Sequence, residues 1–195
     1  MTTRLLLIVH AATSATRAAR FGLDEELDEG GRVEAAGWAG SLPGRDSLAG
    51  RARLSCGHAL RCRQTAQVLR GGTPPGEDVL DGRLDDWNLG SWAGRALPDV
   101  AAENPAGTRA WLDDPEAAPH GGESLAGLLL RVGGYFTDLA THPGHHIAIT
   151  HPAFVRAAVV HALRAPPAAF WRVDVFPLTR VAFSANAGRW NLRFA

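Results

Sequence analysis

The sequence predicts an α/β sandwich, and three observations carry that prediction. Leu5–Val9 is a short, wholly apolar run, the pattern of a strand buried on both faces, and His146–Thr150 contains a second. Stretches of helical period lie between and after them, so strands alternate with helices. The chain then ends in strict alternation: Val181 and Phe183 against Ala182 and Ser184, a turn at Asn186-Ala187-Gly188, then Trp190, Leu192 and Phe194. That is an antiparallel hairpin, placed at an edge of the sheet.

Each element follows in order. Leu5–Val9 is the first strand, and polar, Arg-bearing loop sequence runs from His10 to Glu29. Gly31–Leu42 reads as a helix with Val33, Ala36 and Trp38 on or near its buried side. Arg53–Ser55 reads as a brief strand, and Arg61–Leu69 as a helix ending before Gly71-Gly72. Asp78–Leu84 is a strand or extended segment. Residues 85–123 are rich in Trp, Gly, Pro and Asp, with short helices near Leu97–Glu103 and Gly107–Leu112. A loop region this long inside a compact domain is usually functional. Ser124 is a good N-cap for a helix through Leu139. Pro152 suits the first turn of a helix to Leu163. No repeat or linker interrupts the chain, so residues 1–195 read as one domain.

Composition excludes several functions. The 195 residues carry twenty acidic and twenty basic side chains, and the sequence pI is about 7.1. This argues against nucleic acid or an anionic membrane as partner. Every basic residue is Arg, which excludes Schiff-base chemistry, a P-loop lysine and a Ser-Lys pair. Two cysteines, Cys56 and Cys62, cannot build a disulfide framework, so a reducing, cytoplasmic setting is expected. The apolar runs are too short to span a membrane. Arg4–Val9 mimics a signal peptide, but its apolar core is too short and His10 interrupts it without a convincing cleavage site.

The chemistry should sit beyond the carboxyl ends of the strands, where open α/β sheets bind ligands. The two apolar strands end alike: Leu6-Leu7-Ile8-Val9 runs into His10, and Ile147-Ala148-Ile149-Thr150 runs into His151. If the strands are parallel neighbours, two imidazoles meet at one site. An unprotonated imidazole is a nucleophile, and a protonated one donates to an oxyanion.

Six segments in order resemble the histidine phosphatase superfamily, the phosphoglycerate mutase-like family. They are Leu7-Ile8-Val9-His10-Ala11-Ala12-Thr13; Asp24 to Gly31; Ser55 with Arg61-Cys62-Arg63-Gln64-Thr65-Ala66; Leu84 to Gly94; Gly121-Gly122-Glu123-Ser124 with Arg131; and Thr150-His151 with Arg156. The resemblance implies a three-layer α/β/α sandwich with a mostly parallel central sheet and a C-terminal antiparallel hairpin. It implies a phosphomonoester hydrolase acting through a phosphohistidine on a small-molecule phosphate, with no metal and no cofactor. His10 would attack phosphorus, Arg61 would hold the phosphoryl oxygens bidentately, and His151 would donate to them. Asp86, four residues before Gly90, would protonate the leaving oxygen and then activate water. Thr13 would donate to the phosphate, and the helix beginning near Ser124 would bring backbone N–H groups and Glu123 to the rim.

The pattern departs from the family at three positions. Val9 stands where the family has the first pocket Arg, and Ala11 and Pro152 stand where Gly follows each histidine. Pro152 lacks the N–H that any other residue offers there. Losing a preorganised donor of the Val9 kind costs ~3 kcal/mol, and Arg17 and Arg20 are the candidates to replace it. Three readings follow: a phosphatase, a repurposed site doing acid–base chemistry on a non-phosphorylated small molecule, or a binding relative with little turnover. A guanidinium within reach of His10 favours the first, an apolar wall the second, a blocked pocket the third.

The remaining chemistry-bearing residues read more simply. Arg63 is a surface arginine; Arg156 fits a structural ion pair as well as a ligand contact. Trp87, Trp92 and Trp111 read as packing the loop region rather than lining a pocket. His142, His145 and His146 read as a solvated turn rather than a metal site. Cys56 and Cys62 read as small packed residues without redox spacing. His120 could flank the pocket, His58 and His161 carry no assignment, and a homodimer stays open.

Overall fold

A computed structural model describes residues 2–39, 52–70 and 79–194. The elements are β1 (Thr3–Val9), α1 (Ser14–Arg17), α2 (Glu29–Ala39), β2 (Ala52–Cys56), α3 (Leu60–Leu69) and β3 (Val79–Leu80). Then come α4 (Leu97–Glu103), α5 (Pro105–Asp113), α6 (Leu125–Leu139), β4 (Gly144–Thr150), α7 (Pro152–Leu163), β5 (Arg180–Asn186) and β6 (Arg189–Arg193). Short 3-10 turns occupy Gly82–Leu84, Gly90–Trp92 and Pro167–Arg172.

The strands form one sheet in the order β3-β2-β4-β1-β5-β6. The first four are mutually parallel, and β5 and β6 run antiparallel at the far edge. The expected mostly parallel α/β sheet with its C-terminal hairpin is therefore present. Side chains alternate across it. Leu5, Leu7 and Val9 of β1 enter a large core with Leu128, Val132 and Phe136 of α6 and Phe154 and Ala158 of α7. Ile8 points the other way, packing with Leu54, Cys56, Cys62, Ala66 and Leu69 of β2 and α3. Helices thus cover both faces, the three-layer arrangement the sequence predicts.

Several boundaries and faces differ from the sequence reading. The helix expected at Gly31–Leu42 begins at Glu29, and its residues 40–42 lie outside the described region, as does Gly71-Gly72. Its buried face also differs. Val33 is 63% exposed and Ala36 is exposed, while Gly31 and Ala35 are buried and Trp38 is half-buried. Small residues decide this: a Cβ on Gly31 would meet the Ala12 carbonyl oxygen at 2.2 Å, so α2 docks there by close backbone approach. The loop after His10 contains α1, capped by Thr13. The extended segment expected at Asp78–Leu84 divides into β3 and a 3-10 turn, with Asp78 outside the described residues. His146 is buried within β4, its Nε2 2.8 Å from the His142 carbonyl, rather than part of a solvated turn. In the hairpin the turn is Ala187-Gly188, both at positive φ, and Phe194 lies past β6 and is exposed.

Candidate active site

The register brings the two histidines together. Val9 pairs with Thr150 across β1 and β4, and the His10 amide donates to the Thr150 carbonyl at 2.9 Å. Adjacent parallel strands therefore end side by side, with the His10 and His151 ring centroids 5.1 Å apart at 65°. Both rings are almost wholly buried.

His10 is oriented by its own backbone. Its Nδ1 lies 2.8 Å from the Ala11 carbonyl oxygen, which can only accept, so Nδ1 carries the proton and Nε2 is bare. The Nε of Arg61 donates to that Nε2 at 3.3 Å. Burial, followed by the neighbouring His151 and Arg61, pushes the His10 pKa down to about 3, so the ring is neutral at pH 7. A neutral, desolvated imidazole with a bare nitrogen is a nucleophile.

Arg61 ties the site together. It comes from the first turn of α3, whose Leu60 amide donates to Asp24 Oδ1 at 2.7 Å. Beyond His10, its guanidinium reaches the Leu23 carbonyl, Asp86 Oδ2 at 2.8 Å and His151 Nδ1 at 3.2 Å. Asp86 Oδ2 is also 3.3 Å from His151 Nδ1. Burial alone would raise the Asp86 pKa, but His151, then Arg61 and His10, hold the carboxyl well below the usual carboxylate range. On the far side of the His151 ring, Nε2 sits 3.3 Å from the buried Cys62 Sγ.

The loop bearing Asp86 is held from behind. Arg131 of α6 donates to the carbonyls of Arg83 at 2.8 Å, Asp85 at 2.9 Å and Asp86 at 3.2 Å. Its Nε and Nη2 also grip the Glu123 carboxylate at 2.9 and 2.7 Å. Gly90, at φ +48°, lets the same loop turn against the His120 carbonyl, where a Cβ would stand 2.2 Å away.

His10, Arg61 and Asp86 face one cavity of about 470 Å³, whose upper walls come from Trp87, Trp111, Pro152, Arg156, Phe170 and Trp171. Among the described residues, no group of three His, Cys, Asp or Glu side chains is placed to hold a metal ion, and no helix is long and apolar enough to cross a membrane.

The family model of the histidine phosphatase superfamily, branch 1, matches residues 5–195. The chain belongs to that superfamily. Two glucosyl-3-phosphoglycerate phosphatases resemble it. That of Mycolicibacterium vanbaalenii is 35% identical over 124 residues, 62% of this chain and 52% of the relative. That of Mycobacterium tuberculosis is 30% identical over 180 residues, 86% of this chain and 78% of the relative. The chain thus spans about half to four-fifths of the length of these relatives. A solved mycobacterial glucosyl-3-phosphoglycerate phosphatase superposes with TM-score 0.82 at 26% identity, covering 98% of this chain and 97% of that one. A structure named mycobacterial hydrolase 1 superposes with TM-score 0.84 at 24% identity, covering 100% and 98%, and shows the shared fold.

Against the superfamily pattern, the residues singled out from sequence divide into two groups. His10, Arg61, Asp86 and His151 converge, and Pro152, Thr13 and Arg20 stand at the pocket wall. The Thr13 hydroxyl, however, donates to Glu25 Oε1 at 2.6 Å and caps α1. Arg20 is exposed and reaches the Gly94 carbonyl at 3.5 Å. The others serve elsewhere. Arg17 is exposed, points away from the pocket and pairs with Asp28 and Glu34. Glu123 faces Arg131, and Ser124 caps α6 by accepting from the Gly127 amide at 3.1 Å, so this helix start supports the Asp86 loop rather than the rim. Val9 is fully buried in the larger core, and Ala11 is accommodated, its amide donating to Thr65 Oγ1 at 2.9 Å. Trp92 packs as expected, whereas Trp87 and Trp111 both pack and line the pocket. His120 is buried against Trp92, its Nδ1 accepting from the Gly122 amide. Sequence reasoning did not single out Glu25, Phe170 or Trp171 as pocket residues; the aromatic Phe170-Trp171 pair just after two prolines was the available signal.

Proposed function

We propose that this chain is a phosphomonoester hydrolase that transfers the phosphoryl group of a small organic phosphate to His10 and then to water. One observation carries the reading: a neutral His10 with a bare Nε2 lies on the same pocket floor as a guanidinium and a carboxylate, with the buried His151 imidazole in contact with both. In the first step Nε2 attacks phosphorus, an Nε2–P bond forms, and the P–O bond to the alcohol breaks. Arg61 and His151 stabilise the equatorial oxygens. The leaving oxygen takes a proton from Asp86. In the second step water attacks phosphorus while Asp86 takes its proton, the Nε2–P bond breaks, and inorganic phosphate leaves.

Asp86 rests ionised because His151, Arg61 and His10 favour its charged form. A bound phosphate draws Arg61 to itself and adds negative charge beside the carboxyl, and both effects raise its proton affinity. Substrate binding thus lets Asp86 take up a proton, from the monoanionic ester or from solvent, before it acts as the acid. No step of this scheme calls on a metal. The named relatives support a small organic phosphate as substrate class.

The test is an acid-labile, base-stable covalent label. Mixing the enzyme with a ³²P-labelled monoester and quenching within milliseconds in base should trap label on the wild type and none on His10→Ala. Steady turnover by His10→Ala at the wild-type rate would sink the reading.

A further inference from the structure

The pocket floor is charged, but its far wall is aromatic. Trp87, Trp111, Phe170 and Trp171 form one cluster, with centroids 5.2 Å apart for Trp87–Trp111, 5.4 Å for Trp87–Phe170 and 4.7 Å for Trp111–Trp171. Arg156, in the second turn of α7, lays its guanidinium over the Phe170 ring at 5.7 Å. Two donors on this wall are orphans. Arg156 Nε and Trp111 Nε1 are both buried with no acceptor among the described residues. Asp174 exerts a pull on Arg156, yet no ion pair forms between Arg156 and any described carboxylate.

Orphans of this kind are costly. A buried donor without an acceptor costs ~1–3 kcal/mol, and more when it is charged. Two of them in one cavity are explained by a ligand that brings acceptors. They are also separate from the phosphoryl end, since Arg61, not Arg156, contacts His10, Asp86 and His151.

We infer that this wall receives a second anionic group, a carboxylate or a second phosphoryl, with Arg156 and the Trp111 indole as its donors, so that the preferred substrates are phosphomonoesters whose alcohol half is itself acidic. The inference rests on the phosphatase reading and narrows its substrate class. A neutral hydroxyl is the poorer match, because it brings no counter-charge to the half-buried guanidinium.

Matched ester pairs test it. One pair is carboxyphenyl phosphate, as its meta and para isomers, against carbamoylphenyl phosphate. The other is propane-1,3-diyl bisphosphate against 3-hydroxypropyl phosphate. The expected result is at least tenfold higher kcat/KM for the charged member of one pair, and the pair that responds identifies the anion. The ratio should fall toward one in Arg156→Gln and recover in part in Arg156→Lys. Equal kcat/KM within both pairs, in an active wild type, overturns the inference. So does a loss in Arg156→Gln that falls equally on charged and neutral esters, because a general structural defect does not discriminate between them. Inactivity of the wild type toward every ester overturns the phosphatase reading itself, and this inference with it.

Discussion

His10 illustrates how one residue's environment sets both reactivity and a cost. Its pKa is about 3 in the folded chain against 6.5 when free. As pH falls below 6.5, the unfolded chain binds a proton that the folded chain refuses, so stability falls between about pH 6.5 and pH 3 and is unaffected by this residue above that window. Urea unfolding at pH 5 should give a stability lower than at pH 7 by about 2 kcal/mol from His10 alone, and His10→Asn should flatten that slope. An unchanged slope would mean His10 is protonated inside the fold. Asp86 is tested by leaving group. Asp86→Asn should cut turnover of alkyl phosphates by roughly 10²–10⁴-fold, while p-nitrophenyl phosphate, whose phenolate leaves without a proton, should lose far less. Equal losses on both esters would remove Asp86 from the acid role. Val9 is instructive in another way. The sequence suggests a missing clamp, but the side chain is fully buried between Leu7 and the helices of the larger core. An arginine there places a charge among apolar groups, so Val9→Arg is expected to lose roughly 3 kcal/mol or more, read as a lower urea midpoint, rather than to gain activity.

At the scale of elements, the Asp86 loop is held by pieces that lie outside the pocket lining. Arg131 satisfies three carbonyls and one carboxylate behind Asp86, so Arg131→Met leaves all four without their donor. The expected cost is about 3 kcal/mol by thermal or urea unfolding, together with a lower kcat where Asp86 must move a proton. A fall in KM alone would contradict a positioning role. The same scale explains what was legible in advance. Strand ends were legible because an apolar run must stop where a polar side chain begins, which located His10 and His151 without any knowledge of their neighbours. Arg61 and Asp86 followed from the superfamily pattern. The buried face of α2 was not legible, because it is chosen by Gly31 and Ala35 meeting the Ala12 backbone, a contact between segments that hydropathy does not encode. The partners of Glu123 and Arg156 were not legible for a related reason. A charged side chain's partner is set by tertiary placement, and Glu123 finds Arg131 while Arg156 finds no carboxylate among the described residues.

At the scale of the whole molecule, the site is a product of the complete sheet. β1 (Thr3–Val9) and β4 (Gly144–Thr150) are far apart in sequence, yet the two histidines meet only when those strands pair in register. A one-residue slip would turn His10 or His151 to the opposite face. Arg61 arrives on α3 against one side of the sheet, and Arg131 braces the Asp86 loop from α6 on the other. Both helical layers must therefore be docked before the pocket floor exists, and recovery of activity on refolding should follow the last layer to dock.

The contact between Cys62 and His151 has a practical consequence. Cys62 and Cys56 are both buried free thiols, and burial pushes the pKa of each up, Cys62 well above its ordinary value. Alkylation needs an exposed thiolate, so neither sulfur should react while the sheet and α3 stay closed, and each becomes a clock for opening. Trapping with iodoacetamide under native conditions should label Cys62 only as fast as α3 lifts from β4. An oxyanion such as vanadate, drawn between Arg61 and His151, should slow Cys62 further by fastening that helix, in proportion to its occupancy. Fast labelling that ignores both the anion and denaturant would show that the sulfur behind Arg61 and His151 is reachable without any opening at all.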